Sequence, residues 1–491
     1  MPHDIRRLLA ISALITATFA APAFADDWDT CAKGAGDDAI AACTRSIATG
    51  SLNGKSLALA YSNRGVELKA KGELAKAVAD FDEAIKADPQ QAAAYNNRGI
   101  AYAAARDTDK AIADYDKAIE LKPDYAAALN NRGLAHFNAG EHKRAIADYD
   151  AALKLEPDAI RLNNRGNAYA ALAQYDRAIA DFDEAVKLDG RYAVAVYNRG
   201  NAYVAKGDAD KAIADYTEAL ALNPKYEDAL VNRGVALEKK DTLDRAIADY
   251  DAAIQLQPKD AVAYNNRGNA LLKKGERDRA IADYDTAIRL DANYVAAYFS
   301  RAIANDGKQD RDAAIRDYAK VTKLQPQNAA AWNSRCWTLA VMGRLQEALS
   351  DCNEALKLKP GYINALDSRG FVLLRSGKYD DAIADYDAAL KIEPNKVASL
   401  YGRGMAKRRK GDYAAGNADI AAAKAGKPTI VAEFKDYGLL PPETELTQTP
   451  HPADTDPVAE ATKPEDRAPA AAMAPAQPPA KKPEHRARHA R

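Results

Sequence analysis

The chain has 491 residues, of which 69 are Lys or Arg and 70 are Asp or Glu, so its formal net charge is −1 at pH 7. This balance excludes the broad basic surface by which many proteins bind nucleic acid or anionic lipid. Its aromatic residues are mostly Tyr, with 25 Tyr against 8 Phe and 3 Trp, which fits Ala-rich helices that pack through Tyr.

The first 25 residues have the pattern of a secretory signal peptide. Arg6 and Arg7 precede an apolar run over 8–21, and residues 23–25 (AFA) match a small-x-small cleavage site. The alternative is an uncleaved membrane anchor, but this run is short for a span. We expect cleavage after Ala25 and no membrane span in the mature protein. For a bacterial protein, this predicts a periplasmic location.

Residues 26–57 look like a degenerate half-repeat that caps the array following it. Residues 39–43 (AIAAC) align with residues 111–115 (AIADY) of a complete repeat. A terminal unit of this kind shields the apolar face of the first complete repeat from water.

From residue 58 the chain repeats every 34 residues, with a single slip to 33. An internal period of this length indicates a solenoid. The predicted repeats span residues 58–91, 92–125, 126–158, 159–192, 193–226, 227–260, 261–294, 295–328, 329–362, 363–396 and 397–430.

Each repeat carries two apolar helical faces separated by a polar break. In residues 92–125, the first face has apolar or small residues at repeat positions 4, 8 and 11, and the second at positions 20, 24, 27 and 28: Tyr95, Gly99 and Tyr102, then Ala111, Tyr115, Ala118 and Ile119. Pro123, at position 32, ends the second helix. Each repeat is therefore a helical hairpin that must stack on its neighbours to bury these faces.

These positions resemble the signature of the tetratricopeptide repeat (TPR). Position 20 is Ala in ten of the eleven repeats, and position 32 is Pro in nine of them. The resemblance covers about residues 58–430. It implies an all-α, right-handed superhelical solenoid of about eleven helix-turn-helix repeats, whose first helices line a concave groove. It also implies protein or peptide partners rather than catalysis.

The chain departs from the common family pattern at position 7, which is often Leu in the family and always Arg here. Sixteen residues after each of these Arg residues the chain has an Asp. In an antiparallel hairpin, Arg98 should face Asp114 and Arg233 should face Asp249. We interpret them as partly buried bidentate pairs that hold the two helices in register. The alternative is a ladder of charges that binds a ligand or Ca²⁺.

The last part of the chain contains one further predicted helix and a tail. Residues 428–438 (PTIVAEFKDYG) form an amphipathic helix that Gly438 ends and that caps the array. Residues 441–491 contain eleven of the 22 prolines and should be disordered. The tail ends in KKPEHRARHAR. We interpret it as solvated, the alternative being a weak contact with an anionic polymer.

The four cysteines favour disulfides in an exported protein. Cys336 and Cys352 occupy facing positions of one repeat, and Cys31 and Cys43 form the remaining pair. The alternatives are free buried thiols or a metal site, although the spacings lack the zinc signature. No constellation indicates catalysis or a cofactor, and His136, at position 11, is expected to be a packed histidine rather than a base.

The variable positions of the first helices are the predicted binding surface. The earlier repeats place amides there, at Asn96, Asn130, Asn163, Asn167, Asn201, Asn265 and Asn269. The later repeats place large apolar and basic groups there, at Phe299, Ile303, Trp337, Phe371, Arg375, Tyr401, Met405 and Arg408. Aromatic and Arg side chains dominate peptide-binding hot spots. The alternative is that these side chains only pack on the next first helix.

These observations predict a non-catalytic periplasmic scaffold that binds peptide segments or partner proteins of the cell envelope in its groove. The alternative is an accessory protein for an exported polysaccharide or a cell-wall glycan. There the Asn side chains would hydrogen-bond sugars and the aromatic rings would stack on them.

Overall fold

The structure is a computed structural model that describes residues 21–439. This range contains 25 α-helices and no β-strand, so the predicted all-α solenoid of TPR hairpins is confirmed. None of the helices in this range is long and apolar enough to cross a membrane. The predicted tail, 441–491, and the first twenty residues of the predicted signal peptide lie outside the described residues.

The chain divides into two compact units at Pro224 and Lys225. The helices of the first unit are α1 (Ala21–Lys33), α2 (Gly36–Ala48), α3 (Gly54–Ala70), α4 (Leu74–Ala87), α5 (Ala92–Ala104), α6 (Thr108–Leu121), α7 (Ala126–Asn138), α8 (His142–Leu155), α9 (Ala159–Ala171), α10 (Tyr175–Leu188), α11 (Ala193–Lys206) and α12 (Ala209–Leu222).

The helices of the second unit are α13 (Glu227–Lys239), α14 (Leu243–Leu256), α15 (Ala261–Lys273), α16 (Arg277–Leu290), α17 (Val295–Gly307), α18 (Arg311–Leu324), α19 (Ala329–Val341), α20 (Leu345–Leu358), α21 (Ile363–Arg375), α22 (Tyr379–Ile392), α23 (Val397–Lys410), α24 (Tyr413–Gly426) and α25 (Ile430–Asp436).

In eight of the eleven repeats, a ring of the second helix lies directly on a glycine of the first helix and holds the hairpin closed. A methyl group in place of the Gly268 hydrogen would lie 2.6 Å from Cε1 of Tyr284. Glycine at position 8 leaves room for this approach, and the ring of Tyr284 is fully buried. The small residue at position 20 allows close packing from the other side, since Ala280 is also fully buried.

The turn inside each hairpin requires a left-handed residue at position 15. Seven repeats place Gly there, for example Gly140 with φ 80° and Gly207 with φ 83°. The other four place a residue with a side chain in the same conformation: Arg106, Ala173, Asp241 and Gln309. Those four turns accept a small backbone strain in order to keep the hairpin geometry.

The Arg of position 7 joins the two helices of its own repeat in all eleven hairpins. In the second repeat, Nε and Nη2 of Arg98 donate to the two carboxylate oxygens of Asp114 at 2.8 and 2.7 Å. Arg233 holds Asp249 at the same two distances. The Asp114 side chain is 8% exposed and that of Arg98 is 20% exposed, so the ion pair is largely shielded from water.

The same Arg also reaches the preceding repeat. Nη1 of Arg98 donates to Asp82 at 2.6 Å, and Nη1 of Arg267 donates to Asp251 at 2.6 Å. Asp-Tyr-Asp or Asp-Phe-Asp triplets supply these acceptors, since the first Asp faces the Arg of its own repeat and the second faces the Arg of the next. In the first unit, charge-assisted hydrogen bonds of this kind join each repeat from that of Arg98 to that of Arg199 to the repeat before it.

Further helices lie at both ends of the array. At the start, α1 and α2 form a hairpin joined by the disulfide Cys31–Cys43, with the two Cα atoms 4.6 Å apart. Helix α1 begins at Ala21, so the predicted cleavage point after Ala25 lies within it. At the other end, α25 starts at Ile430, two residues later than the predicted start at Pro428.

Candidate partner-binding face

The first helices of the last three repeats carry a group of aromatic and apolar side chains that we call the aromatic face: Trp337 of α19, Phe371 of α21, and Tyr401 and Met405 of α23. All four belong to one apolar cluster. The ring centroids of Trp337 and Phe371 lie 5.1 Å apart. These four of the eight predicted groove residues therefore come together, in the register that their repeat positions indicated.

Helix α25 and the residues after it lie on the aromatic face. The Phe434 ring centroid is 4.7 Å from that of Tyr401 and 5.9 Å from that of Phe371. Tyr437 packs edge-on against Trp337, with centroids 4.9 Å apart. As a result Phe371, Tyr401 and Met405 are each only 1% exposed, and Trp337 is half-buried.

The two predicted basic residues have different surroundings. Nη1 of Arg375 donates to the carbonyl oxygens of Ala340 and, at 3.4 Å, Val341, so it caps the C-terminus of α19. Its guanidinium carbon lies 5.7 Å from the Phe371 ring centroid, and burial lowers the pKa of Arg375. Arg408 is buried beside Gly416 of α24.

Phe299 and Ile303 do not join the aromatic face. They pack on a separate cluster, together with Ala302, Ala314 and Tyr318. The ring centroids of Phe299 and Tyr318 are 5.6 Å apart. In this repeat the aromatic residue at position 5 therefore covers its own hairpin.

Sequence reasoning missed the members of the cluster that α25 and the residues directly after it contribute: Ile430, Phe434, Tyr437 and Leu439. Ile430, Phe434 and Leu439 are buried, and Tyr437 is half-buried. The spacing of Ile430, Phe434 and Tyr437 is the i, i+4, i+7 pattern of one helical face, and this was the available signal. The pattern predicted an amphipathic cap but not the surface on which it lies.

The amides of the earlier repeats are largely occupied by one another. Asn131 donates to Asn96 at 3.0 Å, and Asn164 donates to Asn130 at 3.1 Å. The third such pair is Asn198 donating to Asn163 at 2.8 Å. Two further amides accept from buried tyrosines, Asn201 from Tyr216 at 2.7 Å and Asn269 from Tyr284 at 2.9 Å. These side chains link successive first helices or hold the hairpins together.

Both predicted disulfides are formed. Cys336 and Cys352 have Cα atoms 5.4 Å apart, at positions 8 and 24 of their repeat. Most other repeats place Gly and an aromatic ring at these two positions, so the disulfide replaces that packing. Cys336 directly precedes Trp337 and is buried in the same cluster as the aromatic face.

His136 also has a structural partner. Its Nδ1 lies 2.7 Å from a carboxylate oxygen of Glu141, in the turn of the same hairpin. The side chain is 12% exposed. In this position the imidazole helps to fix the turn between α7 and α8.

Comparison with known proteins decides the family. Models of the tetratricopeptide repeat match residues 63–126, 98–160, 163–226, 197–261, 305–363, 261–294 and 372–411. These matches cover more than half of the chain. The chain belongs to the tetratricopeptide repeat family. Membership supports a protein–protein interaction scaffold as its class of function.

Solved structures with similar folds include several TPR proteins. YrrB, described as a TPR protein with an unusual peptide-binding site, is 26% identical, with 37% of this chain and 95% of that chain covered and a TM-score of 0.32. A tetratricopeptide repeat protein from Parabacteroides merdae is 21% identical over 50% of this chain and 97% of that chain, with a TM-score of 0.41. Yeast Tom70 is 16% identical over 77% of this chain and 99% of that chain, with a TM-score of 0.37. Comparison with curated proteins gave no match.

Proposed function

We propose that this protein is a periplasmic scaffold that binds peptide segments of envelope proteins on the first-helix face of its repeats. The observation that carries this proposal is the aromatic face, which already holds a peptide segment in this structure. Phe434 and Tyr437 fill it with ring contacts at 4.7 and 4.9 Å. A surface that accepts one short aromatic helix has the shape and chemistry to accept another.

Two further features support an exported scaffold. Both disulfides suit an oxidising compartment, and such bonds are rare in the cytosol. The Asn side chains that would favour a glycan ligand are mostly engaged in hydrogen bonds to one another or to Tyr216 and Tyr284. Aromatic contacts to protein therefore have more support than hydrogen bonds to sugars.

The test is affinity capture from periplasmic extract followed by cross-linking and mass spectrometry. The wild-type chain is compared with Trp337→Ala and with the matched control Trp332→Ala. Trp332 lies on the same helix α19, but it packs in a different cluster. We expect cross-links from the partner to α19, α21 or α23, lost with Trp337→Ala and kept with Trp332→Ala.

Two outcomes would contradict this function. One is a captured set that is identical for all three proteins. The other is a saturable response of Trp337 fluorescence to purified envelope glycan, with no protein cross-linked to the face. Fractionation with thiol labelling tests the location, since a periplasmic protein keeps all four cysteines unlabelled until a reductant is added.

A further inference from the structure

The C-terminal segment, residues 430–439, lies on the aromatic face mainly through contacts of its rings and apolar side chains. Every hydrogen bond that this segment makes within the described part of the chain stays between residues 427 and 439. The side chain of Glu433, for example, accepts from Lys427 and Thr429, both just before α25. Among the described residues, removing the segment from the face therefore breaks no hydrogen bond to α19, α21 or α23.

The segment is also a weak structure by itself. Helix α25 has seven residues, well below the length at which an isolated helix is stable in water. Only residues 427–429 connect it to α24, and Lys427 has an extended backbone, with φ −154° and ψ 102°. The segment is held as a helix mainly by the rings on which it lies, so its release from the face and its unfolding are coupled.

We infer that residues 430–439 are a built-in occupant of the aromatic face, and that the partner is a protein segment with Phe and Tyr three residues apart on a short helix, which takes its place. This inference rests on the proposed scaffold function. Phe434 and Tyr437 define the required anchors, because they contact Tyr401, Phe371 and Trp337. Leu439 adds a buried apolar contact after the helix.

The connection to α24 argues for a different protein as the partner rather than a second copy of this chain. Three extended residues span at most about 10 Å. A segment tied so closely to its own α24 reaches another copy only if the two faces abut. A partner that brings its own segment has no such constraint.

An internal occupant also sets the affinity of the site. A partner binds only the fraction of molecules in which the face is open, and its apparent affinity falls by that fraction. Weakening the internal contacts should therefore tighten binding from outside, as long as the face itself is intact. This gain of affinity separates a displaceable occupant from a permanent cap.

The experiment uses the full chain and a fluorescein-labelled peptide with the sequence of residues 427–439. Four proteins are compared: wild type, Phe434→Ala/Tyr437→Ala, that double variant with Trp337→Ala added, and the exposed control Lys435→Ala. We expect the double variant to bind the peptide at least about tenfold more tightly than wild type. Lys435→Ala should match wild type, and adding Trp337→Ala should remove the gain. A peptide with both aromatic residues changed to Ala should not bind.

Equal affinity for wild type and the double variant overturns the inference, as does a double variant that keeps its helical circular dichroism yet binds no peptide. If the double variant unfolds its last repeats, hydrogen exchange of wild type decides instead. Saturating peptide must then speed amide exchange in residues 430–439, and unchanged exchange overturns the inference. A dimer that forms with rising concentration and excludes the peptide also overturns it.

The outcomes also separate this inference from the scaffold function. If capture from periplasm depends on Trp337 while the peptide never binds, the scaffold stands and the displaceable segment is wrong. If capture does not depend on Trp337 either, both proposals fail.

Discussion

Arg98 and Asp82 belong to different repeats, yet Nη1 of Arg98 lies 2.6 Å from a carboxylate oxygen of Asp82. Nε and Nη2 of the same guanidinium hold Asp114 of its own repeat. One side chain thus joins three helices, α4, α5 and α6. Lys at position 7 could not replace it, because an ammonium group lacks the planar fork that meets two carboxylates in fixed directions.

The two acceptors of Arg98 should contribute differently to the free energy of unfolding. Arg98→Ala leaves the 8% exposed side chain of Asp114 without its cation, and we expect unfolding of this region to become easier by about 3–5 kcal/mol. The Asp82 side chain is 42% exposed, so Asp82→Ala should cost no more than about 1 kcal/mol. Hydrogen exchange of α5 and α6 measures both. Equal costs for the two substitutions would show that the pair to Asp114 is not effectively buried.

The disulfide between Cys336 of α19 and Cys352 of α20 should stabilise the hairpin that these two helices form. Cys336→Ala/Cys352→Ala opens a loop of sixteen residues, and we expect a loss of about 2–4 kcal/mol. In a repeat array the loss should be concentrated near the change, so exchange should rise in α19–α22 and stay constant in α3–α8. The matched control is Cys31→Ala/Cys43→Ala, which should affect α1 and α2. If reducing conditions left the thermal unfolding midpoint of the wild type unchanged, the disulfide would not stabilise this hairpin.

A buried carboxyl should make the second unit more stable at mildly acidic pH. Burial raises the pKa of Asp367 to about 6, although it accepts from Ser399 and lies 3.5 Å from Lys396 Nζ. Because Asp367 binds its proton more tightly in the folded chain than in the unfolded chain, its contribution is present below the unfolded pKa and is lost as pH rises through about 6. Between pH 5 and pH 7 this loss should be on the order of 1–2 kcal/mol.

Asp367→Asn isolates this effect, because it keeps the shape of the side chain and removes its titration. Urea unfolding at several pH values should show the wild type losing stability relative to Asp367→Asn as pH rises from 5 to 7. A difference between the two proteins that does not change with pH would contradict the raised pKa.

The contact between Trp337 and Tyr437 should appear as a coupling energy. A double-mutant cycle to Ala at both sites should give about 0.5–1.5 kcal/mol for an edge-on ring pair. The control cycle joins Tyr437 to Trp332, which lies in another cluster, and its effects should add within about 0.3–0.5 kcal/mol. Coupling of equal size in both cycles would mean that Tyr437 acts through general stability rather than through this contact.

The contacts within each repeat could be predicted from the sequence. The spacing of apolar residues gives the period and the helical faces. The pairing of Arg98 with Asp114 and that of Cys336 with Cys352 follow from positions that face each other across one hairpin. Such relations are local, and helical spacing is enough to derive them. Position 15 was harder, because Arg106 and Gln309 adopt the left-handed turn without the glycine that marks it elsewhere.

Contacts between neighbouring repeats were harder to predict from the sequence. The second Asp of an Asp-Tyr-Asp triplet lies on a different face of its helix from the first, and its partner is the Arg of the next repeat. Asn96, Asn130 and Asn163 are predicted groove residues, and each accepts a hydrogen bond from an Asn of the next first helix. The position of α25 could not be derived, since it follows no repeat register and depends on which surface offers its rings the best contacts.

On both sides of the hairpin of α19 and α20, the Arg of position 7 donates to a neutral acceptor in the preceding repeat instead of a carboxylate. Position 319 is Ala, so Nη1 of Arg335 meets only the hydroxyl of Thr322, at 3.4 Å. On the other side, Nη1 of Arg369 meets the neutral amide of Asn353 at 3.0 Å. The repeat of α19 and α20 is therefore joined to the next repeat more by apolar contacts, such as that between Trp337 and Phe371, than by salt bridges. Because its own two helices are also joined by the disulfide Cys336–Cys352, high salt should loosen this part of the second unit less than the repeats that rely on Arg and Asp alone.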